Sequence, residues 1–325
     1  MIHTTLPFNQ TRRLSFYLAM EEYVARHLNH DDDCFFMWQV NPSVIFGRNQ
    51  LIEKEVNIDY CKKHHIEMYR RKSGGGCVYA DMSNVMFSYI TRDENVNFTF
   101  NRYINLLVLV LFKMGIDAKA NGRNDILIDG KKVSGNAFYH IPGHSIVHGT
   151  MLYDTNMENM VGSISPNNEK LISKGVESVR QRVALLKDYT NLSLDEFKAF
   201  AVQQLCNETQ NLTEQDIMEI EDLEKEYLTH EFIYGHNPRY SIIRKHRLEG
   251  VGEFEIRIEL KNEIIKQINM MGDYFLVGDI DKRLLLPLRN VPYTKESVEK
   301  ALPNRVDDII LNLDKNDLIE MIFND

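Results

Sequence analysis

The strongest chemical signal in the sequence is residues 69–81, YRRKSGGGCVYAD, which combine two arginines, a serine and three consecutive glycines. Glycines lack Cβ atoms, so the backbone N–H groups can approach an anion or a planar ligand closely, and Arg70 and Arg71 can donate paired hydrogen bonds. A simple turn needs only one or two glycines. The segment therefore predicts a loop that binds a nucleotide or an acyl-phosphate.

A second signal is residues 122–137, GRNDILIDGKKVSGNA. Asp129-Gly130 tolerates the positive φ of a tight hairpin, and Lys131 and Lys132 follow the turn directly. A lysine fixed there can hold its ammonium as a point charge over a transferring phosphoryl group. Lys132 is the candidate for this role, whereas Lys131 is expected to be solvated, as most lysines are.

A third signal is His148-Gly149-Thr150 within a strand-like segment. A glycine inside a strand allows a ligand to approach the backbone closely, but it also marks a bulge or a packing accommodation. The tripeptide alone leaves both interpretations open.

Hydrophobic periodicity predicts the elements that position these residues. A helix is expected over 15–28, with Glu21 and Glu22 to one side, and neighbouring strands over 34–40 and 43–47. The glycine loop joins a strand over 66–70 to strand-like CVYA and NVMFSYI. Residues 99–115 are apolar on most sides, which favours a buried helix, although a pair of strands is the alternative.

The later part of the chain changes pattern. Capping boxes at Ser193–Glu196 and Thr213–Asp216 predict two helices. Residues 239–252 are polar and basic and are the candidate linker, and the alternation after Phe254 predicts a β-hairpin covered by two helices. We expect an α/β fold: a large domain over 1–245 with a mixed sheet and flanking helices, and a small α/β domain over 250–325.

Composition restricts the function. The formal charge of −9 argues against a general nucleic-acid binder. The longest apolar stretch, 106–112, is far shorter than the ~20 residues of a membrane span, and the first residues lack the features of a signal peptide. A cytoplasmic protein is expected, and the four scattered cysteines should be free thiols.

Taken together and in this order, these motifs resemble the lipoate-protein ligase family, within the biotin/lipoate protein ligase superfamily. RRKSGGGCVYAD is similar to its glycine-rich loop, GRNDILIDGKKVSGNA to its catalytic-lysine segment, and HGTML to the strand that follows. WQVNPSVIFGRNQ, SKGVESVRQRV at 173–183, residues 232–235 and the hairpin after 252 extend the resemblance over nearly the whole chain. It implies a ligase domain followed by a small accessory domain.

The resemblance also implies roles for individual residues. ATP or the adenylate would contact a set that starts before the glycine loop and ends after it: Arg71, Gly76, Cys77, Val78 and Tyr79. Lys132 would touch both lipoate and the α-phosphate. Substrate-binding residues would be Arg70, Ser73, Gly74, Gly75, Asn84, Asp125, His148, Gly149 and Thr150. Two positions depart from the family pattern: Ala80, where a histidine is usual, and Ser83, where a glycine is usual.

The implied reaction joins lipoate to ATP, releases pyrophosphate and passes the lipoyl group to a lysine of a lipoyl domain or a glycine-cleavage H protein. Mg²⁺ would assist, and no protein metal site is assigned, because Pro142-Gly143 interrupts the spacing of His140, His144 and His148. One alternative is a transferase that acylates a cysteine, but no cysteine lies between Lys132 and His148. The other is a non-catalytic binding module, which the retained lysine and arginine disfavour.

Overall fold

The computed structural model describes residues 1–8, 10–27, 32–50, 52–92, 95–121, 124–164, 181–234, 242–261 and 263–324. The chain divides into two compact units. The first comprises Met1–Phe46, Ile52–Arg71 and Cys77–Ile233, and the second comprises Gly47–Leu51, Lys72–Gly76 and Tyr234–Asp325. The second unit therefore includes part of the glycine loop as well as the C-terminal part of the chain.

The described elements follow in chain order. The strands are β1 Ile2–Thr5, β2 Cys34–Trp38, β3 Ser43–Phe46, β4 Glu67–Arg70, β5 Val78–Ala80, β6 Val85–Thr91, β7 Ala118–Ala120, β8 Asp125–Ile128, β9 Lys131–Ile141, β10 His144–Met151, β11 Glu208–Asn211, β12 Ile242–Leu248, β13 Gly252–Lys261 and β14 Ile264–Gly272. The helices are α1 Leu14–His27, α2 Ile52–Glu55, α3 Ile58–Lys63, α4 Val96–Lys113, α5 Met157–Ile164, α6 Leu194–Leu205, α7 Glu214–Tyr227, α8 His230–Tyr234, α9 Lys295–Ala301 and α10 Lys315–Phe323.

The first unit is built on an eight-stranded sheet in the order β11-β1-β2-β6-β10-β9-β8-β7. β11, β1 and β2 are mutually parallel, and the pairs from β2 onwards are antiparallel. A smaller sheet, β4-β3-β5, stands beside it in the same unit. The expected α/β architecture with a mixed sheet is confirmed.

Two helical layers cover the large sheet. α1 packs on β6 and β10 and against α7, while α4 packs on β7, β9 and β10 and against α6. Alternation along β9 separates the layers: Phe138 contacts Phe100 of α4, whereas Tyr139 belongs to the core that includes α1. Along the long central strands β9 and β10, successive side chains thus face the two helical layers alternately.

The second unit contains the antiparallel sheet β12-β13-β14. One face of the predicted hairpin is buried, and Phe254, Ile256 and Ile258 share a core with Val298 of α9 and Leu318 of α10. This confirms the hairpin and its two helices. The basic stretch 239–252, expected to be a linker, is part of the sheet instead. Its described part, from residue 242 to 252, forms strand β12 and the turn into β13, and residues 239–241 lie outside the described residues.

Most predicted elements of the first unit are confirmed, including both capping boxes, at the starts of α6 and α7. Three details were wrong. β2 and β3 are strands but belong to different sheets. α4 is a helix, yet it is not buried on all sides, because Phe98, Leu109 and Phe112 are exposed. Glu21 and Glu22 of α1 are buried, since each accepts hydrogen bonds inside the fold.

Candidate active site

Lys132 stands at the start of β9, just after the hairpin turn from β8. Asp129 and Gly130 have φ angles of +50° and +74°, the left-handed geometry that this pair tolerates. Nζ of Lys132 lies 2.8 Å from Oδ1 of Asp125, and 40% of the Lys132 side chain is exposed. A carboxylate thus positions the ammonium while leaving it accessible to an anionic ligand.

Gly135, which the sequence interpretation did not assign to the site, makes room for this lysine. A Cβ atom at Gly135 would lie 2.7 Å from both Cε and Nζ of Lys132. Gly135 pairs with Asp125 on one side and with Thr150 on the other. The lysine side chain therefore lies across Gly135, on the same pair of strands as His148-Gly149-Thr150. The available signal was a glycine within a strand, three residues after the candidate lysine.

The backbone of Lys132 is also held in place. Its N–H donates to the carbonyl oxygen of Arg182 at 2.8 Å, and its carbonyl accepts from the N–H of Ala184 at 2.8 Å. Most of the 173–183 segment lies outside the described residues, but its last residues contact the strand that carries the lysine. Two motifs that are far apart in sequence therefore meet at Lys132.

Arg71 is buried at the end of β4. Its Nη1 donates to the carbonyl oxygen of Ile45 at 3.0 Å, and its backbone N–H donates to Phe46. Burial lowers the pKa of Arg71 to about 10, which still leaves the guanidinium charged at neutral pH. Arg71 therefore supplies a fixed positive charge beside the start of the glycine loop.

Cys77 follows the glycine loop, in the first unit. Burial raises the pKa of its thiol far above the ordinary value, and the nearby Arg71 only partly offsets this effect. The thiol is therefore protonated at neutral pH, and a protonated thiol is a poor nucleophile. This environment disfavours the alternative in which Cys77 is acylated.

Arg70, Val78 and Tyr79 are part of the small sheet. The guanidinium of Arg70 lies 4.6 Å from the ring centroid of Phe46, and its Nε donates to the carbonyl oxygen of Ile233. Val78 and Tyr79 begin β5 and pair with β3. These contacts define where the residues stand, and their proposed ligand contacts remain predictions.

The three consecutive glycines have different surroundings. A Cβ at Gly74 would lie 2.3 Å from the carbonyl oxygen of Tyr274, within the second unit. Gly75 has a φ of +85° and donates its N–H to that same carbonyl at 3.1 Å. No described atom lies within 4 Å of a Cβ built on Gly76. A side chain at Gly76 would therefore enter open space, whereas one at Gly74 would clash, and Ser73, just before the three glycines, is fully buried.

A chain of buried hydrogen bonds holds His148 from the side of α1. Nδ1 of His148 lies 2.8 Å from Oε2 of Glu21, and the hydroxyl of Ser88 donates to Oε1 of Glu21 at 2.6 Å. The indole N–H of Trp38 donates to Ser88 at 2.9 Å. Because the carboxylate is the acceptor, the Nδ1 proton is assigned to His148. Glu21 is a second residue that the sequence interpretation missed.

Gly149 and Thr150 continue this strand. A Cβ at Gly149 would lie 1.9 Å from Oδ1 of Asn136, the residue it pairs with on β9. The packing interpretation therefore accounts for this glycine without a ligand. Thr150 is 4% exposed and stands opposite Gly135.

Asn84 and the two unusual positions lie around the turn between β5 and β6. Oδ1 of Asn84 accepts hydrogen bonds from the backbone N–H of Tyr153 and from the hydroxyl of Thr155. Ser83 Oγ lies within hydrogen-bond distance of Asp81 and of the carbonyl of Asp154. Ala80 is fully buried. Asn84 thus holds the chain after β10, and Ser83 provides contacts that a glycine would lack.

Across the described ranges, no three His, Cys, Asp or Glu side chains group in a way that could hold a metal ion. No helix in the described part of the chain is long and apolar enough to cross a membrane. The four cysteines are free thiols.

Known proteins of one family match this sequence over most of its length. The family profile described as "Lipoyl protein ligase A/B catalytic domain" matches residues 14–206, and the one described as "Bacterial lipoate protein ligase C-terminus" matches residues 237–322. The lipoate-protein ligase LplJ of Bacillus subtilis is 30% identical over 94% of this chain and 96% of its own length. Lipoate–protein ligase 1 of Staphylococcus aureus is 36% identical over 81% of this chain and 82% of its own length.

Solved structures agree. The bipartite lipoate protein ligase of Thermoplasma acidophilum, described with its E2 lipoyl domain, superposes with a TM-score of 0.66 at 27% identity and covers 74% of this chain and 100% of its own. A lipoate-protein ligase A bound with ATP superposes with a TM-score of 0.61 at 25% identity and covers 72% of this chain and 97% of its own. Plasmodium falciparum LipL1 shares the fold, with a TM-score of 0.76 at 21% identity over 98% of this chain and 97% of its own.

Proposed function

The chain belongs to the lipoate-protein ligase family, and from that premise we propose that it activates lipoate with ATP and transfers the lipoyl group to a lysine of an acceptor protein. A carboxylate oxygen of lipoate attacks the α-phosphorus of ATP, and pyrophosphate leaves. The acceptor amine then attacks the carbonyl carbon of the mixed anhydride, loses a proton and displaces AMP. Neither step needs a nucleophile from the ligase.

The observation that supports this proposal best is the position of the Lys132 side chain. Its ammonium is held by Asp125 and lies across Gly135, and 40% of the Lys132 side chain is exposed. Negative charge grows on the non-bridging phosphate oxygens as pyrophosphate leaves, and a preorganised cation stabilises that charge. Lys132 is therefore proposed to contact the α-phosphate and the lipoate carboxylate.

Arg71 is proposed to act on the nucleotide from its buried position. Its guanidinium is charged and already oriented by the carbonyl of Ile45, so it would not need to be ordered when ATP binds. Gly76, which has open space at its Cα, is proposed to let the nucleotide approach the backbone. Cys77, Val78 and Tyr79 keep the proposed role of lining the adenylate.

The remaining substrate contacts are carried over from the family resemblance as proposals. Thr150 stands opposite Gly135 on the strand pair of Lys132, and His148 lies two residues before Thr150, with its ring held by Glu21. This supports contacts from both residues to a ligand that lies along these strands. Arg70, Ser73, Gly74, Gly75, Asn84 and Gly149 keep their proposed roles, although Gly74 and Gly149 also have packing reasons to be glycine.

Mg²⁺ fits the donor chemistry of this site as a companion of ATP. Mg²⁺ keeps several waters and binds through phosphates and one or two carboxylates, so it does not need a cage of protein ligands. Asp125 is a carboxylate beside Lys132 and is the residue proposed to face the ion. Bound Mg²⁺ would neutralise charge on the triphosphate.

The acceptor is proposed to be a lipoyl domain of a 2-oxoacid dehydrogenase or the glycine-cleavage H protein. The description of the Thermoplasma acidophilum ligase with its E2 lipoyl domain supports the first of these. The test is incubation with either acceptor, lipoate and ATP, followed by mass spectrometry of the acceptor lysine. If neither acceptor gained a lipoyl group, this assignment of partners would be wrong.

The reaction itself is tested by pyrophosphate release. Lipoate should trigger release of pyrophosphate from ATP without any acceptor, because the adenylate forms first. Pretreatment with a thiol-alkylating reagent at neutral pH should leave the release intact, since the Cys77 thiol is protonated. A cysteine transferase or a binding module would release none, and that result would overturn the proposal.

A further inference from the structure

The carboxylate of Asp125 divides its two oxygen atoms between two partners. Oδ1 lies 2.8 Å from Nζ of Lys132. This oxygen is buried, and within the described residues no hydrogen bond from another group reaches it. Oδ2 accepts a hydrogen bond from Nδ2 of Asn121 at 3.1 Å. The direction in which Asp125 presents Oδ1 to the lysine therefore depends on what holds Oδ2.

Asn121 is itself held at the junction of two strands. It directly follows β7, and Asp125 is the first residue of β8. Its backbone N–H donates to the carbonyl oxygen of Asp125 at 3.0 Å. Oδ1 of its side chain accepts from the backbone N–H groups of Asn124 at 3.1 Å and of Asp125 at 3.0 Å. The side chain is thus fixed on the same short segment that carries the carboxylate.

These contacts also determine which way the Asn121 amide faces. Two backbone N–H groups need an acceptor, and in a side-chain amide only the oxygen accepts, whereas the nitrogen only donates. The nitrogen must therefore lie on the other side, where the Asp125 carboxylate takes up a donor. Reversing the amide would place donor against donor and oxygen against oxygen, so the hydrogen-bond network requires the orientation described.

Asn124 anchors this segment to the strand of Lys132. Its carbonyl oxygen accepts from the backbone N–H of Asn136 at 2.9 Å and from Nδ2 of Asn136 at 3.0 Å, and its own Nδ2 donates to the carbonyl of Asn136 at 3.2 Å. Asn136 is 3% exposed and follows Gly135, the residue across which Lys132 lies. Asn121 and Lys132 are therefore held relative to the same part of β9.

We propose that Asn121 is a positioning residue for the ligase reaction, which fixes the Lys132 ammonium by orienting the carboxylate of Asp125. This inference rests on the proposed function. A charge stabilises a transition state best when its geometry is set before the reaction, because no reorganisation is then needed. Without the donor from Asn121, the Asp125 carboxylate can rotate, and the ammonium paired with it loses its fixed place.

The test removes the two contributions of the Asn121 side chain separately. Asn121→Asp keeps an oxygen for the two backbone N–H groups but replaces the donor with a second carboxylate beside Asp125, whereas Asn121→Ala removes both. The kcat of lipoate-dependent pyrophosphate exchange should fall roughly tenfold to a hundredfold in both variants. In the neutral Asn121→Ala variant the KM for lipoate should change much less than kcat, because positioning acts on the transition state.

Asn57 provides the matched control. Its Oδ1 accepts from the backbone N–H of Tyr60 at 3.1 Å and caps α3 in the same unit. Aspartate caps a helix about as well as asparagine does, so Asn57→Asp should keep both the exchange rate and the Tm. If Asn121 only capped its own segment, Asn121→Asp would behave in the same way.

A double variant shows whether Asn121 acts through Asp125. Asp125→Ala alone should lower kcat, and adding Asn121→Ala should then cause no further loss, because the carboxylate that Asn121 orients is gone. Asn121 is exposed, so the variants should fold, and thermal unfolding checks this. Should Asn121→Ala fail to fold, Asn121→Asp, which keeps the backbone contacts, still decides the question.

Two results would overturn the proposal: exchange at the wild-type rate in Asn121→Asp, or losses that multiply in the double variant. Wild-type protein without any lipoate-dependent exchange would contradict the ligase proposal itself. Wild-type protein that exchanges normally beside an unaffected Asn121→Asp would contradict only the role of Asn121.

Discussion

Gly135→Ala is the sharpest test of the proposed site, because it adds one methyl group beside Lys132, the proposed catalytic lysine. The new Cβ would lie 2.7 Å from Cε and Nζ of Lys132, whereas ordinary contacts begin at 3.4 Å. The ammonium must therefore move by roughly 1 Å, and a displacement of that size can lower a rate about 10²-fold. We expect lipoate-dependent pyrophosphate exchange to fall by about this factor.

Stability should respond differently. The clashing atoms belong to the far end of a flexible side chain that is 40% exposed, so the lysine can swing away at little cost. Replacing a strand glycine also removes freedom from the unfolded chain, which favours the variant by roughly 0.4–1 kcal/mol. Thermal unfolding should therefore show an unchanged or slightly higher Tm, measured alongside exchange on the same preparation.

The double variant decides whether the effect passes through Lys132. If Gly135→Ala acts only by displacing the ammonium, adding it to Lys132→Ala should cause no further loss. Additive losses would mean that the methyl group blocks the ligand directly. Normal exchange in Gly135→Ala alone would refute the placement of Lys132 across this glycine as a requirement for the reaction.

The other predictions concern single residues near the site. Lys132→Ala removes one preorganised cation, which should cost ~3–4 kcal/mol of transition-state stabilisation and lower the rate of pyrophosphate exchange by 10²–10³. Lys131→Ala should change the rate little, and Lys132→Arg should not restore it. A larger loss in Lys131→Ala than in Lys132→Ala would contradict the assignment. Glu21→Ala should lower the free energy of unfolding, measured with urea, by about 2–3 kcal/mol, because the buried His148 loses its hydrogen-bond acceptor. An unchanged urea midpoint would show that water replaces the Glu21 carboxylate. Cys77→Ser should keep exchange and lipoyl transfer; loss of transfer alone would restore the cysteine mechanism.

Much of the local structure followed from short stretches of sequence. Asp129-Gly130 specifies its hairpin because both residues tolerate positive φ, and this places Lys132 next to the turn. The capping boxes at Ser193 and Thr213 start their helices through contacts that span three residues. The order of the three chemical motifs was likewise enough to indicate the family. Such features depend on neighbours in the chain and are readable without the fold.

The burial of charged side chains could not be predicted from local sequence. Glu21 looked like the polar side of an amphipathic helix, but its partner His148 is 127 residues away in sequence. A carboxylate is stable inside a protein only when donors surround it, and these donors come from β6 and β10. The periodicity of α1 contains no information about them. The same limit applied to β3, whose partners were decided by long-range pairing.

The glycines show most clearly which features the sequence predicts and which depend on the tertiary structure. The sequence by itself predicted a ligand loop from a run of three glycines beside two arginines, since the absence of Cβ atoms is a property of the residue. Only the tertiary structure decided what each glycine accommodates: the carbonyl of Tyr274 at Gly74, the amide of Asn136 at Gly149 and the side chain of Lys132 at Gly135. These neighbours are brought close by strand pairing and packing, and a steric requirement exists only once both partners are in place.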